Sequence, residues 1–393
     1  MDLVVRLDFI LMSIMKILHT TPTLDAAYGG PSTCTYYLLK GLNRYCHADV
    51  VALTNQQGKP CLWKDDFIKS LSYDAKTPLM ISKNFRNFLN NNVVEYDVVH
   101  ANTIWTAFSH CAKVSALELG KPFVLSPHGM LYPQALRVSA WKKKLILPLF
   151  QRKDLEEATC LHATCMQELE HIRNFGLKNP VCVVPNCLNI SKENIKDRIE
   201  VNTIRRIGFV GRVNRIKNIN RLIVAWHQLG DRTKEAELII VGNGDAVYMK
   251  ELQDYVSMHN MTNVRFTGFL TGNNLTDMVR SFDFQVLPSE SENFGMVVPE
   301  ALVNRVPVIA SKGTPWEDLN IQKCGWWVDN DVDTLSATLD LALSLSETDR
   351  IEMGERGRDL VLEYYSIDKV AKDMCSVYAY LLGNGTKPAF VYD

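Results

Sequence analysis

Two glutamates, Glu292 and Glu300, stand eight residues apart in the stretch Pro288-Ser289-Glu290-Ser291-Glu292-Asn293-Phe294-Gly295-Met296-Val297-Val298-Pro299-Glu300-Ala301-Leu302. Gly295 predicts a turn between them and a helix starting nearby, with Glu292 on the loop and Glu300 in the first helical turns. An ionised carboxylate accepts strong, directional hydrogen bonds, which suits it to sugar hydroxyls. Backbone amides at Phe294–Met296 could meet a phosphate beside them. The plainer alternative is a solvated loop and a glutamate placed to suit the helix dipole. A second group is Gly211-Arg212-Val213-Asn214-Arg215-Ile216-Lys217-Asn218, directly after the apolar run Ile207–Val210. There Arg212 and Lys217 would occupy a strand-to-helix turn. Two cations beside free N–H groups can neutralise a diphosphate and stabilise it as a leaving group. Taken alone, solvated surface charge is the simpler account of this pair. A third candidate is His128, in Pro127-His128-Gly129: a lone histidine is usually structural, but one that follows a strand and precedes a glycine is read as functional.

Other familiar patterns are absent or incomplete. There is no phosphate-binding G-x-x-x-x-G-K-[ST] loop. Val241-Gly242-Asn243-Gly244 follows a strand, but the third glycine of a dinucleotide fingerprint would fall at Val247. Asp329-Asn330-Asp331-Val332-Asp333 looks like a metal-binding D-x-D, yet it precedes a predicted helix Thr334–Leu343 that Asp333 would cap. No cofactor and no essential metal are expected.

These residues need rigid elements to hold them. Short β-branched runs alternate with amphipathic stretches, which predicts an α/β fold of parallel sheets built from βαβ units. The first half offers strands at Lys16–Thr20, Val50–Thr54, Asp97–Ala101, Phe123–Ser126, Leu161–Ala163 and Val181–Val184, with helices over Thr33–Arg44 and Thr106–Leu119. After the polar stretch Ser191–Thr203 the alternation restarts at Ile207–Val210. It continues through Leu238–Val241, Val264–Thr267, Phe284–Leu287, Val308–Ala310 and Trp326–Val328, and Ser366–Leu382 reads as a terminal helix. The expected organisation is an N-terminal extension (1–14), a first Rossmann-like domain (15–190), a linker (191–204), a second Rossmann-like domain (205–365) and a helix and tail (366–393) crossing back to the first. Ligands are expected in a cleft at the carboxyl ends of the strands.

Composition sets further bounds. The chain has 393 residues, 47% apolar and 22% charged, with a formal net charge of −1, which argues against a nucleic-acid partner. Residues 1–190 carry 20 basic and 15 acidic side chains, and residues 191–393 carry 23 and 29, a contrast expected of two domains. The ten cysteines form no C-x-x-C pair and no zinc-like set, and reduced thiols fit a cytoplasmic protein. No run of apolar residues is long enough to span a bilayer. Leu7–Met15 is apolar but interrupted by Asp8 and followed by no cleavage signal, so Met15 is taken to open the first strand. Arg137–Lys153 holds six basic residues (Arg137, Lys142, Lys143, Lys144, Arg152, Lys153), no acidic ones, and interleaved Trp141, Leu145, Ile146, Leu147, Leu149 and Phe150. It reads either as a surface for anionic lipid or as an ordinary helix broken at Pro148.

Taken together, G-R-x4-K at 211–217, V-G-x-G at 241–244, F-x-G at 266–268 and P-S-x-x-E-x-F-G-x4-E-A at 288–301 resemble the E-x7-E pattern of retaining, family 4 glycosyltransferases of the GT-B fold (glycosyl transferases group 1). The resemblance runs from Met15 to about Leu382. It implies that Arg212 and Lys217 hold the donor diphosphate, that Glu300 binds the ribose, and that Glu292 binds the donor sugar with Asn293, Phe294, Gly295 and Met296. Gly242 belongs to its donor side, and Gly268, Phe269 and Leu270 would lie near the base. Gly29 and Gly30 resemble its glycine-rich loop over the phosphates, and His128 its active-site histidine near the reacting carbon. Departures are Cys187 in a segment that usually reads P-N-G, Asn189 where an aspartate is usual, and Gly313-Thr314-Pro315-Trp316-Glu317 in place of G-G-x-x-E. The implied reaction is retaining transfer of a hexose from a nucleotide-diphosphate sugar to a glycan or lipid-linked glycan acceptor. Bacterial surface polysaccharide (O-antigen, capsule or exopolysaccharide) is the implied setting, in the cytoplasm or on the inner membrane face. A nucleotide-sugar epimerase of the same fold and a catalytically silent binding protein remain as alternatives.

Overall fold

The computed structural model describes residues 14–25, 30–54, 61, 63–75, 77, 79–190 and 204–393. The chain divides into two compact units, one formed by residues up to Asn189 together with Ile367–Asp393, the other by Ile190–Ser366.

The first unit is built on strands β1 (Lys16–Thr23), β2 (His47–Leu53), β3 (Ile68–Leu71), β4 (Val98–Ala101), β5 (Phe123–Leu125), β6 (Cys160–Ala163) and β7 (Val181–Val183). Its second unit counterpart uses β8 (Arg205–Val210), β9 (Ala236–Val241), β10 (Val264–Gly268), β11 (Phe284–Leu287), β12 (Val308–Ser311) and β13 (Gly325–Val328), while β14 (Val391–Tyr392) belongs to the first unit. The sheet orders are β14-β7-β6-β5-β4-β1-β2-β3 and β10-β9-β8-β11-β12-β13. All pairings are parallel except the short β14–β7 contact. Each sheet reverses its order once, between β1 and β4 in the first unit and between β8 and β11 in the second. Such a reversal leaves a crevice at the strands' carboxyl ends.

Successive strand residues go to opposite faces, so a sheet covered on both sides needs apolar residues at nearly every position. Ile17, Val50 and Val98 pack on one side of the first sheet with Leu39 and Met374. Leu18, Val51 and Val99 pack on the other with Phe85, Phe108 and Ile172. The helix Ile367–Leu381 returns from the end of the second unit onto the helix Gly30–Leu42. Gly41 permits that approach, because a Cβ there would lie 2.6 Å from Ile367 Cγ2. In the second unit Ile207, Phe209, Leu238 and Phe284 form a core with Leu222, Trp226, Leu335 and Leu339.

Three expectations need adjustment. β3 and β14 were not foreseen: Ile-Lys-Ser-Leu has too little apolar pattern, and two residues carry none. Asp331, not Asp333, caps the helix Val332–Ser344, its side chain accepting from Thr334 N at 2.8 Å. Arg137–Lys153 is not one helix broken at Pro148. It runs through short helices ending at Arg137 and covering Ala140–Ile146, then a π turn Leu147–Gln151 that accommodates Pro148, then the helix Arg152–Glu156. Residues 1–13 of the expected extension and 191–203 of the expected linker lie outside the described residues.

Candidate functional site

In the second unit the two chemistry-bearing motifs leave from the two strands that flank the sheet reversal. Gly211–Asn218 follows β8 and Pro288–Glu300 follows β11, and these strands are hydrogen-bonded neighbours. The path after β8 is set by close backbone contact with the segment after β9. Gly211 N donates to Val241 O (3.0 Å), Val213 N to Asn243 O (3.0 Å) and Asp245 N to Val213 O (2.9 Å). A Cβ at Gly242 would lie 1.9 Å from Gly211 O, and one at Gly244 2.0 Å from Val213 O. The V-G-x-G glycines therefore let the Arg212 turn pass; they do not form a dinucleotide loop. Arg212 is exposed, with no ion pair among the described residues. Arg215–Lys217 makes one 3₁₀ turn, Asn218 takes a left-handed φ of 49°, and the helix Ile219–Gln228 begins.

Lys217 and Glu292 meet across the reversal. The Lys217 ammonium pairs with Glu292 Oε1, and the two side chains are only 18% and 14% exposed. Ser289 Oγ donates to the same oxygen at 2.7 Å, and Glu290 N donates to Ile216 O at 2.7 Å, tying the loops together. Beneath them lies a brace from the Gly313–Glu317 segment, whose role the sequence left open. Glu292 N donates to Gly313 O (2.9 Å), the Ser311 hydroxyl donates to the Ser289 carbonyl, and Trp316 Nε1 donates to Phe294 O (2.5 Å). Gly313 is needed there, since a Cβ would lie 2.3 Å from Glu290 O. The Phe294 ring packs against Trp316 and Tyr365 and is a buried anchor of the loop. Gly295 adopts a φ of 77°, turning the chain into the helix Val297–Val303. The amides of Phe294, Gly295 and Met296 make no hydrogen bond among the described residues. Asn293 and Met296 are half-buried.

Glu300 projects from that helix, half-buried, and its carboxylate has no hydrogen bond or ion pair among the described residues. Burial alone pushes its pKa up to about 7. A partly desolvated acceptor given no donor by the protein is a place where ligand hydroxyls would be welcome. Gly268 (φ 75°) accepts from Gly242 N at 2.9 Å, and Phe269 beyond it is 70% exposed, with Leu270 half-buried. β10 lies two strands from β8, about 10 Å along the sheet.

In the first unit Gly29 lies outside the described residues, and Gly30 opens the helix that follows β1 at the sheet reversal. His128 follows β5. It has a left-handed φ of 49°, and Gly129 follows at 75°. Its Nε2 is buried without a hydrogen-bond partner, and burial holds its pKa down at about 3. The turn is held by Glu168, whose Oε1 accepts from Gly129 N at 2.6 Å and whose Oε2 accepts from Thr164 N and Oγ1 at 2.8 and 2.9 Å. Glu168 was not foreseen; its signal is a glutamate at the third position of a helix, the place from which a side chain reaches back. In Arg137–Lys153, Val138, Trp141, Leu145 and Leu149 are 67%, 66%, 60% and 75% exposed. Arg137, Lys142, Lys144 and Lys153 are exposed around them. Lys143 instead turns inward to the Ala135 carbonyl and over the Trp105 ring, and Arg152 binds Glu156 and the carbonyls of Phe175 and Gly176.

Two family models match. Residues 191–360 fit the glycosyl transferases group 1 model, and residues 29–187 fit the glycosyl transferase 4-like domain. The chain belongs to the group 1 glycosyltransferases. It is 33% identical over 177 residues to an uncharacterised glycosyltransferase of Methanocaldococcus jannaschii, covering 44% of each chain. It is 26% identical over 321 residues to the putative glycosyltransferase EpsF of Bacillus subtilis, covering 75% of this chain and 79% of that one. The chain thus matches less than half the length of the first relative and most of the second. The Anabaena protein HepE, solved with UDP and glucose, superposes with a TM-score of 0.70 at 16% identity, covering 93% of this chain and all of that one. That likeness establishes the two-domain GT-B fold. Among the described residues no cluster of His, Cys, Asp or Glu side chains is arranged to hold a metal ion, and no helix is long and apolar enough to cross a membrane.

Proposed function

We propose that this glycosyltransferase moves a hexose-type sugar from a nucleoside-diphosphate sugar to a hydroxyl of a glycan or lipid-linked glycan, with retention of configuration, in surface-polysaccharide synthesis. The observation that carries the reading is the Lys217–Glu292 pair at the sheet reversal, together with the half-buried, unpartnered Glu300 on the helix that follows the same loop. Lys217 and Arg212 hold the diphosphate and stabilise it as it leaves, so no metal is required. Glu300 accepts from the ribose hydroxyls, Glu292 from the sugar, and Phe269 and Leu270 flank the base. His128, with an unoccupied ring nitrogen, serves the sugar side. The acceptor is deprotonated with help from the departing phosphate on the attacked face, so no enzymic nucleophile is needed. HepE's bound UDP and glucose are of the ligand class this reading requires. The test is a donor panel in EDTA, read by nucleotide release with and without a lipid-linked acceptor. Acceptor-dependent release is expected. Isomerised donor without acceptor would mean an epimerase, and tight binding without turnover a silent binder.

The elevated pKa of Glu300 gives this reading a pH signature. Only the ionised carboxylate is a full charge-assisted acceptor, and ionisation is half complete near pH 7. Affinity for a nucleoside should therefore rise as pH goes from 6 to 8, and Glu300→Gln should abolish the rise and weaken binding by about 1.5–3 kcal/mol. A nucleoside without phosphates, titrated calorimetrically, keeps phosphate ionisation out of the curve. A pH-dependent affinity that survives in Glu300→Gln would remove the residue from the ribose site.

The acceptor side includes a lipid surface in this reading. Trp141, Leu145 and Leu149 recur at one-turn spacing, exposed and ringed by cations, which suits the interface of an anionic bilayer. Binding to phosphatidylglycerol vesicles should weaken as salt rises. Because Lys143 is turned inward, Lys142→Ala with Lys144→Ala should reduce it, as should Trp141→Ala, without changing nucleotide affinity. Absence of vesicle binding at low salt would make the patch an ordinary surface.

A further inference from the structure

A buried chain of hydrogen bonds crosses the first sheet near its carboxyl edge, and with neutral rings its direction is determined throughout. Val184 O can only accept, so His162 Nε2 carries the proton between them (2.8 Å). His162 Nδ1 must then accept from Ser126 Oγ (2.8 Å), and Ser126 Oγ from His100 Nε2 (2.6 Å). His100 Nδ1 accepts from Tyr378 OH (2.7 Å), the Tyr378 oxygen from His19 Nε2 (2.9 Å), and His19 Nδ1 from Asn102 Nδ2 (3.1 Å). Burial keeps each ring neutral, and each then carries its proton on Nε2. His19, His100 and Ser126 are fully buried, His162 nearly so, and burial holds His19 at about 3 and His162 at about 4. The links come from β1, β4, the end of β5, and β6, which are successive neighbours in the sheet, and Tyr378 comes from the returning helix Ile367–Leu381.

Ser126 immediately precedes Pro127-His128-Gly129. The left-handed turn at His128 is thus fixed at two points: upstream by Ser126 in this chain, downstream by Glu168 on Gly129 N. The His128 ring itself is 6.5 Å from that of His162 and takes no part in the chain. A turn in a sparsely populated conformation persists only when its surroundings determine it. We propose that Ser126 and Tyr378 are positioning residues for His128, so that docking of the C-terminal helix completes the support of the sugar-side histidine. The proposal rests on the reading of His128 as part of the sugar site.

The test compares full-length Tyr378→Phe and Ser126→Ala with Ile17→Val, which trims the same core without touching the chain. Histidine-labelled protein reports ring resonances, and kinetics report kcat and donor KM separately. Both chain variants should fold, shift the His128 ring signals and lower kcat by about tenfold or more, with free-nucleotide affinity unchanged. The double variant should fall no further than the weaker single one. Ile17→Val should leave the His128 signals and kcat as they are. Unshifted His128 signals in folded Tyr378→Phe, or an equal effect from Ile17→Val, would overturn the proposal. So would loss of folding in both chain variants, which would make the chain a folding element only. If the wild type turns over no donor, the functional reading fails, while the His128 resonances still decide the positioning role.

Discussion

Lys217→Ala is expected to lower turnover by roughly 30- to 1000-fold, about 2–4 kcal/mol of lost transition-state stabilisation. In the proposed reaction charge develops on the leaving diphosphate, and it has two candidate counterions in the second unit, Arg212 and Lys217. Only Lys217 is held in place by a partner before substrate arrives. Its pairing with Glu292 keeps the ammonium at the sheet reversal, largely withdrawn from water, where a charge interaction is stronger than at the surface. Removing it also leaves Glu292 without its cation, although the Ser289 hydroxyl still donates at 2.7 Å. Folding should survive with a lowered melting temperature. Glu292→Gln makes the complementary change. It releases Lys217 and removes a negative charge near the diphosphate, so free nucleoside diphosphate should bind as well as before or more tightly. Turnover should nevertheless fall, because the contact with the sugar is lost. Glu300→Gln should instead weaken free nucleotide. Because Lys217 and Glu292 touch, their double variant should be less damaged than the product of the two single effects. Calorimetry with nucleotide alone and kcat at saturating donor test this pattern. Lys217→Ala within threefold of wild-type turnover, or Glu292→Gln weakening nucleotide as much as Glu300→Gln, would break the division of roles.

What could be read from sequence was local. The strands around β8, β9 and β11 are apolar runs bounded by glycine or proline, and the candidate cations and glutamates follow β8 and β11 directly, so their placement needed no knowledge of the rest of the chain. What could not be read depends on contacts between distant segments. Lys217 and Glu292 are 75 residues apart, and each was assigned a separate ligand group without any sign that they pair. The Gly313–Trp316 brace is a loop whose purpose is clear only beside the loop after β11. Tyr378 and His19 are 359 residues apart, and neither belongs to a motif. A lone histidine or tyrosine carries no pattern; its meaning comes from what the fold places against it. The six cations of Arg137–Lys153 show the same limit at short range, since charge alone did not tell that Lys143 and Arg152 point inward.

Acid should unfold the first unit before the second. His19 and His162 have folded pKa values of about 3 and about 4, and His100 is held well below its ordinary value by the same burial. In the unfolded chain each returns to about 6.5. Below pH 6.5 the unfolded state therefore binds protons that the folded state refuses, and stability falls with pH until the folded pKa values are reached. Between pH 7 and pH 5 the His19 and His162 pair alone should cost on the order of 4 kcal/mol, against a typical domain stability of about 5–15 kcal/mol. The chain's bonded partners are Asn102, Ser126, Tyr378 and the Val184 carbonyl, so no carboxylate bonds to the rings to offset the loss. Glu168 in the first unit and Glu300 in the second act in the opposite direction. Burial raises both, so each takes up its proton in the folded state first and favours folding as pH falls. In the first unit one such group opposes the three histidines of the chain together with His128 and His171, which burial also lowers; in the second, Glu300 has no comparable opponent among the described residues. Urea unfolding followed by hydrogen exchange resolved along the chain should show residues of β1, β4 and β6 losing protection at lower denaturant at pH 5 than at pH 7, with uptake of two or more protons. Strands β8 and β11 should change less. A first unit equally stable at pH 7 and pH 5 would mean that these rings titrate freely in the folded protein, and the fixed tautomers on which the His128 support depends would be wrong.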